Sequence, residues 1–418
     1  MPPTTRPANP PEQASTQNQR KYILAAAVGL CAVVWFFVLS GWMDVKPGSV
    51  MVARNNVLFN SDTNLWVNRI IDNARSPQQL VHPLELPLWR GPCRALYHLL
   101  EFAVPPEKAR LLATRFFAAL LAGIGVAFLA FLALRNGIRS TQFVLLFILY
   151  LLFTSSATIC LPEHFAISCG LLTIAFVVPF VVANSKTKTA ILAALVVLCG
   201  GTTITNAAFP AASLVHFSIK SMRAKIIAVL AVLPVAVGMF FFVFFRSDSI
   251  HWFVTNYLNL HGLIEPVRVL SYGFYAFVAP AVGPSPHVVR VPGWDMVTYE
   301  PGLEGVHLSY YFGIQAFGAA AWIALLSMCI YKGFQDERTR PYMWLPLGWV
   351  MFNALFHNIW GGEIILYAPH WSWALMGMVI LGARDLSRTL IGTILVPIVI
   401  SQIYTLFAIK NALATIVR

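Results

Sequence analysis

Charge is what this chain has least of. Its 418 residues hold 17 Asp and Glu and 29 Lys and Arg, only 11% in all, against roughly 25% in soluble domains. That excludes an ordinary soluble fold. A mean hydropathy of +0.70 and 58% hydrophobic residues place the chain among polytopic membrane proteins. Other absences narrow the function. No CxxC or Cys/His pattern has zinc spacing, and five of the six cysteines lie in or at the edge of apolar runs, where Cys acts as a small hydrophobe. No glycine-rich phosphate loop appears, which argues against direct use of a nucleotide sugar. No basic stripe interleaves with aromatics, so the net charge of +12 points to cytoplasmic loops rather than to nucleic acid. The two halves show no internal repeat, which disfavours a transporter.

What is present is a series of apolar runs. Residues 1–21 lack one and read as a disordered cytoplasmic tail. Residues 22–418 read as a single transmembrane domain, all-α, with about eleven spans. They are expected at 22–41, 109–134, 142–159, 164–183, 189–203, 206–219, 224–245, 308–331, 342–357, 370–383 and 389–408. The pair at 189–219 is short and broken by Gly200, Gly201 and Pro210, reading as two half-length helices or two tilted spans. With the N-terminus inside, the short cytoplasmic loops 135–139, 186–188, 220–225, 332–340 and 384–388 each carry at least two basic residues, and the short outer loops carry none. Two long outer loops remain, 42–108 and 246–307. Within the first, residues 62–74 and 88–102 suit amphipathic helices on the bilayer surface.

The polar residues of interest gather on that outer side. The first loop holds Asp62, Arg69, Asp72 and His82-Pro83-Leu84; Pro162-Glu163-His164-Phe165 forms an outer turn; His357, Glu363, Tyr367 and His370-Trp371 lie near the end. Ionisable groups at a membrane boundary are costly and tend to mark sites, so these clusters predict one shared cavity. Asp62 reads either as a general base or as the N-cap of the helix that follows. Arg69 and Arg115 have the planar fork that suits phosphate oxygens, with snorkelling as the plain alternative. His82 is either a hydrogen-bond donor to phosphate or a structural residue at a proline-fixed turn. Glu163 reads first as a helix-terminal charge, and second as a cavity wall. His357, Glu363 and His370 fit no trusted metal spacing, so no metal or other cofactor is assigned.

The Ser61-Asp62-Thr63 segment after the first span, His82-Pro83-Leu84, Pro162-Glu163-His164-Phe165 and Tyr367-Ala368-Pro369-His370-Trp371 together resemble the GT-C superfamily of polytopic glycosyltransferases, in the bacterial branch related to protein mannosyltransferases and aminoarabinose transferases. That resemblance implies a polyprenyl-phosphate sugar donor, an envelope lipid, glycan or protein as acceptor, Asp62 as catalytic base, and inversion at the anomeric carbon. It also implies a lipid phosphate held by Arg69, His82 and Arg115, and a substrate cavity lined by Asp72, Glu163, His164, His357, Glu363, Tyr367 and His370. The site would face outward from a bacterial plasma membrane. A lipid or polysaccharide transporter, or a non-catalytic relative, is the alternative.

Overall fold

The computed structural model describes residues 11–44, 58, 63–73, 82, 85–218, 221, 266–291, 294–299, 311–359 and 364–416. Helix α1 (Pro11–Met43) begins ten residues ahead of the expected end of the tail, so 11–20 are helical rather than disordered. In the first loop, α2 is Thr63–Asp72, and a π-helical turn, Leu86–Arg90, leads into α3, Gly91–Glu101. Then follow α4 (Pro106–Arg135), α5 (Ser140–Leu151), α6 (Ser156–Ile159), α7 (His164–Val181), α8 (Ser185–Thr202) and α9 (Ala208–Ser218). The later part holds α10 (Pro266–Val278), α11 (Ile314–Gln335), α12 (Arg340–Ile359), α13 (Ile364–Tyr367), α14 (Pro369–Gly382) and α15 (Arg388–Ile416).

Five of these helices, α1, α4, α7, α11 and α15, are long and apolar enough to cross a bilayer. The chain is thus a helical membrane protein; the expected span 224–245 lies outside the described residues. Three expectations are revised. The span drawn at 142–159 stops at Leu151. There Ser156 Oγ donates to the Leu151 carbonyl, and the amides of Thr154 and Ser155 bond across to Ala281 and Pro280 instead of continuing the helix. The loop drawn at 246–307 contains α10 and a two-stranded antiparallel sheet, β1 (His287–Val291) with β2 (Trp294–Thr298), paired His287↔Thr298 through Val291↔Trp294. The helix at 62–74 is no surface helix either: Trp66, Val67, Ile70 and Ile71 of α2 are buried in the protein.

The centre of the bundle is α7 packed on α14 and α4. Within the apolar window of α7, 83% of residues are buried, against 39% in α1, α11 and α15, which keep lipid-facing residues such as Val38, Phe317 and Phe407. Small residues set the crossings. A Cβ on Gly29 of α1 would lie 2.6 Å from the Cβ of Ala127 in α4, and one on Gly170 of α7 would collide with the Leu121 carbonyl of α4. The pair α8 and α9 fold back on each other around a 3₁₀ turn, Ile204–Ala207. The loops are also joined, because Leu58 bridges to Val297 of β2.

Candidate functional site

The first loop enters the bundle on α2. Its apolar face is buried, and Arg69 is carried in with it, 2% exposed. A buried guanidinium needs a counter-charge, and Arg69 Nη2 lies 3.2 Å from Glu85 Oε2, itself 1% exposed. Burial pushes the Glu85 carboxyl up to about 7, against the opposing pull of Arg69. The other arginine expected at the phosphate, Arg115 of α4, donates to Asp44 Oδ2 at 2.6 Å, tying α4 to the end of α1. Asp72 closes α2 in an ion pair with Arg110 at 2.5 Å and is half exposed. Arg110 also bonds Asn68.

Glu163 occupies the N-cap position of α7 but makes no capping hydrogen bond. Its place at the helix terminus is as expected, and its carboxylate also joins distant segments: Thr63 Oγ1 donates to Glu163 Oε1 at 2.8 Å, with both residues buried. Thr63 is the first residue of α2. Asp62, which precedes it, lies outside the described residues, as does Glu363.

From Glu163 a row of rings runs across the bundle. His164 packs on His82 with ring centroids 4.2 Å apart and on Phe165 at 4.2 Å. Phe165 meets His370 at 5.6 Å and Tyr367 at 5.9 Å. Tyr367 stacks on His357 at 4.3 Å, and His357 leans on Trp371 at 5.6 Å. The carbonyl of His370 accepts from Trp349 Nε1 and Trp373 Nε1, both at 2.8 Å, which fixes the start of α14. Thus His82, Glu163, His164, His357, Tyr367 and His370, from four separate segments, come together, while Asp72 is paired with Arg110 instead.

His82 is held by the turn after α8. Its Nδ1–H donates to the Thr202 carbonyl at 2.6 Å, and Trp89 Nε1 donates to Thr202 Oγ1 at 3.2 Å. Burial and the nearby Arg69 hold the imidazole pKa down, to about 3, against the stabilising bond to Thr202. His82 is therefore neutral at physiological pH. Among the described residues no group of three or more His, Cys, Asp or Glu is arranged to hold a metal ion.

Two residues escaped the sequence reading. Arg268 of α10 donates from Nε to Asn358 Oδ1 at 3.0 Å and lies 5.2 Å from the ring of Tyr272. Asn358 is the residue after His357 in α12. None of the ion pairs among the described residues includes Arg268, nor Arg90 or Arg94 of the first loop. The second is Asn206, 1% exposed, in the turn between α8 and α9. An apolar pattern restarting at Pro266 was the available signal for Arg268; nothing local marked Asn206.

No protein-family model and no solved structure matches the chain. Over 58 residues, 14% of its length, it is 31% identical to undecaprenyl phosphate-alpha-4-amino-4-deoxy-L-arabinose arabinosyl transferase of Yersinia pestis (strain Pestoides F). It is equally similar to the protein of that name in Yersinia pseudotuberculosis serotype O:1b (strain IP 31758). The match covers 10% of each of these proteins, so the chain spans about a tenth of the length of the curated relatives it matches.

Proposed function

We propose that the chain is a membrane glycosyltransferase of GT-C type that moves a sugar from a polyprenyl-phosphate donor to an envelope acceptor. The observation that carries this reading is the Thr63–Glu163 hydrogen bond. It brings Thr63, the first residue of α2 and the one that follows Asp62 in sequence, against a buried carboxylate at one end of the row of His and Tyr rings. The likeness of one stretch to transferases named for an undecaprenyl phosphate substrate supports the donor class.

In this mechanism Asp62 removes the proton from an acceptor hydroxyl as that oxygen attacks the anomeric carbon. The bond from that carbon to the phosphate oxygen breaks, the configuration inverts, and polyprenyl phosphate leaves with its negative charge. Arg268 offers that charge a guanidinium without a carboxylate partner among the described residues. Glu163 orients the first loop through Thr63. The distribution of basic residues in the short loops supports a cytoplasmic N-terminus and a site on the outer face of the membrane, which we take to be a bacterial plasma membrane.

The test is mass spectrometry of lipids and glycans from cells lacking the protein, complemented with wild type, Asp62→Asn or Glu163→Gln. Loss of one sugar, accumulation of its lipid-linked donor and restoration by wild type alone is the expected outcome. Full restoration by Asp62→Asn would remove Asp62 from the chemistry and favour lipid transport.

A further inference from the structure

Buried polar groups in folded proteins almost always find partners. Two near the ring row do not. Neither the Oδ1 nor the Nδ2 of Asn206 has a hydrogen-bond partner, and the same holds for Nε2 of His370; the two residues are 1% and 3% exposed. Asn206 belongs to the turn that grips His82. Its backbone N–H donates to the Thr203 carbonyl at 2.9 Å, and Thr203 Oγ1 lies 3.4 Å from His82 Nδ1. The tautomer of His82 follows from that grip. A carbonyl only accepts, so Nδ1 carries the proton, and Nε2 of the neutral ring is left as an acceptor.

We infer that Asn206, with His82 Nε2 and His370 Nε2, forms an uncharged subsite that hydrogen-bonds the hydroxyls of the donor's sugar, separate from the cationic place for its phosphate at Arg268. The carboxamide supplies one acceptor and two donors, which matches neighbouring hydroxyls that both give and take hydrogen bonds. An anion is a poor occupant, because neither His82 Nε2 nor Asn206 Oδ1 can donate. A hydrocarbon chain is a worse one, because it would leave the buried amide unsatisfied. This inference rests on the transferase reading and assigns His82 to the sugar rather than to the phosphate.

The test uses the full chain in lipid nanodiscs and two sets of probes: undecaprenyl phosphate, and a panel of undecaprenyl-phosphate-linked pentoses and hexoses. The wild type is expected to bind at least one glycosylated lipid about tenfold more tightly than the bare phosphate. Asn206→Leu should erase that difference without lowering the thermal midpoint, since it removes an unsatisfied buried group. His82→Gln keeps a donor for Thr202, and is expected to reduce the difference as well. Retention of the full difference in both variants overturns the inference, as does a wild type that binds every lipid equally. A lower midpoint for Asn206→Leu with the difference unchanged would assign the carboxamide to a structural water and overturn it too. Failure of the wild type to bind undecaprenyl phosphate at all would instead strike at the donor reading itself.

Discussion

Arg69, Arg110 and Arg115 each face a carboxylate, whereas Arg268, on α10, faces an amide and a phenol ring. The first three lie where the sequence concentrates its arginines, and two of them are nearly sealed from solvent. Buried and neutralised, they act as ties: Arg69 to the segment leading into α3, Arg115 to the end of α1. Arg268 bonds Asn358, the residue after His357, and has no carboxylate partner among the described residues. A guanidinium already matched by a carboxylate gains less from a ligand's phosphate than one without such a partner. The density of cations in a loop therefore indicates how the loop is held, and the local balance of charge indicates where an anion is received.

The largest effect that could break this contrast is on stability. Arg69→Met leaves Glu85 buried without its counter-charge and should cost about 3–5 kcal/mol, read as a lowered thermal midpoint in detergent. Adding Glu85→Leu should restore most of that loss, because the two removals together leave no orphaned charge. Next, Arg268→Gln should slow sugar transfer by roughly 100-fold while leaving the midpoint almost unchanged, the reverse of the Arg69 pattern. A smaller effect concerns the scaffold under both regions. Gly170→Ala drives a methyl into the Leu121 carbonyl and should cost about 1–3 kcal/mol, again seen in thermal unfolding.

A further effect is a pH dependence. The His82 pKa falls from 6.5 to about 3 in the folded protein, so its contribution to stability is fully present above pH 6.5 and is lost as pH falls toward 3. His82→Gln should flatten that acid limb. Glu85 has the opposite sign. Its pKa rises from 4.5 to about 7, so its contribution is present below 4.5 and lost as pH rises through 7. Comparing His82→Gln with Glu85→Gln across pH 4–8 separates the two by the sign of the slope.

The long apolar helices were legible because lipid-facing and core-facing residues are both apolar, giving uninterrupted runs; α1, α4, α7 and α15 fall where hydropathy places them. Interruptions were harder to see. Thr154 and Ser155 look like ordinary small residues until the Pro280–Ala281 segment arrives to take their hydrogen bonds. The helix α10 and the sheet β1–β2 hid in a stretch dense in Gly and Pro, although Val288 to Val291 and Met296 to Thr298 carry strand-forming residues. In the candidate site, that Glu163, His164 and His370 would lie close together was readable from the cost of polar groups near a membrane. Their pairings were not. Asp44 and Arg115 are 71 positions apart, Thr63 and Glu163 are 100, and His82 and Thr202 are 120. Only tertiary packing brings such residues together, that of α1 on α4 in the first case.

The most direct measurement is equilibrium binding of undecaprenyl phosphate to the full chain in nanodiscs, for wild type, Arg268→Gln and the paired Arg69→Met/Glu85→Leu variant. The account predicts that Arg268→Gln weakens binding by about tenfold or more, while the paired variant stays within about threefold of wild type. Weak binding by the paired variant, with Arg268→Gln unimpaired, would return the phosphate to the first loop and contradict the account.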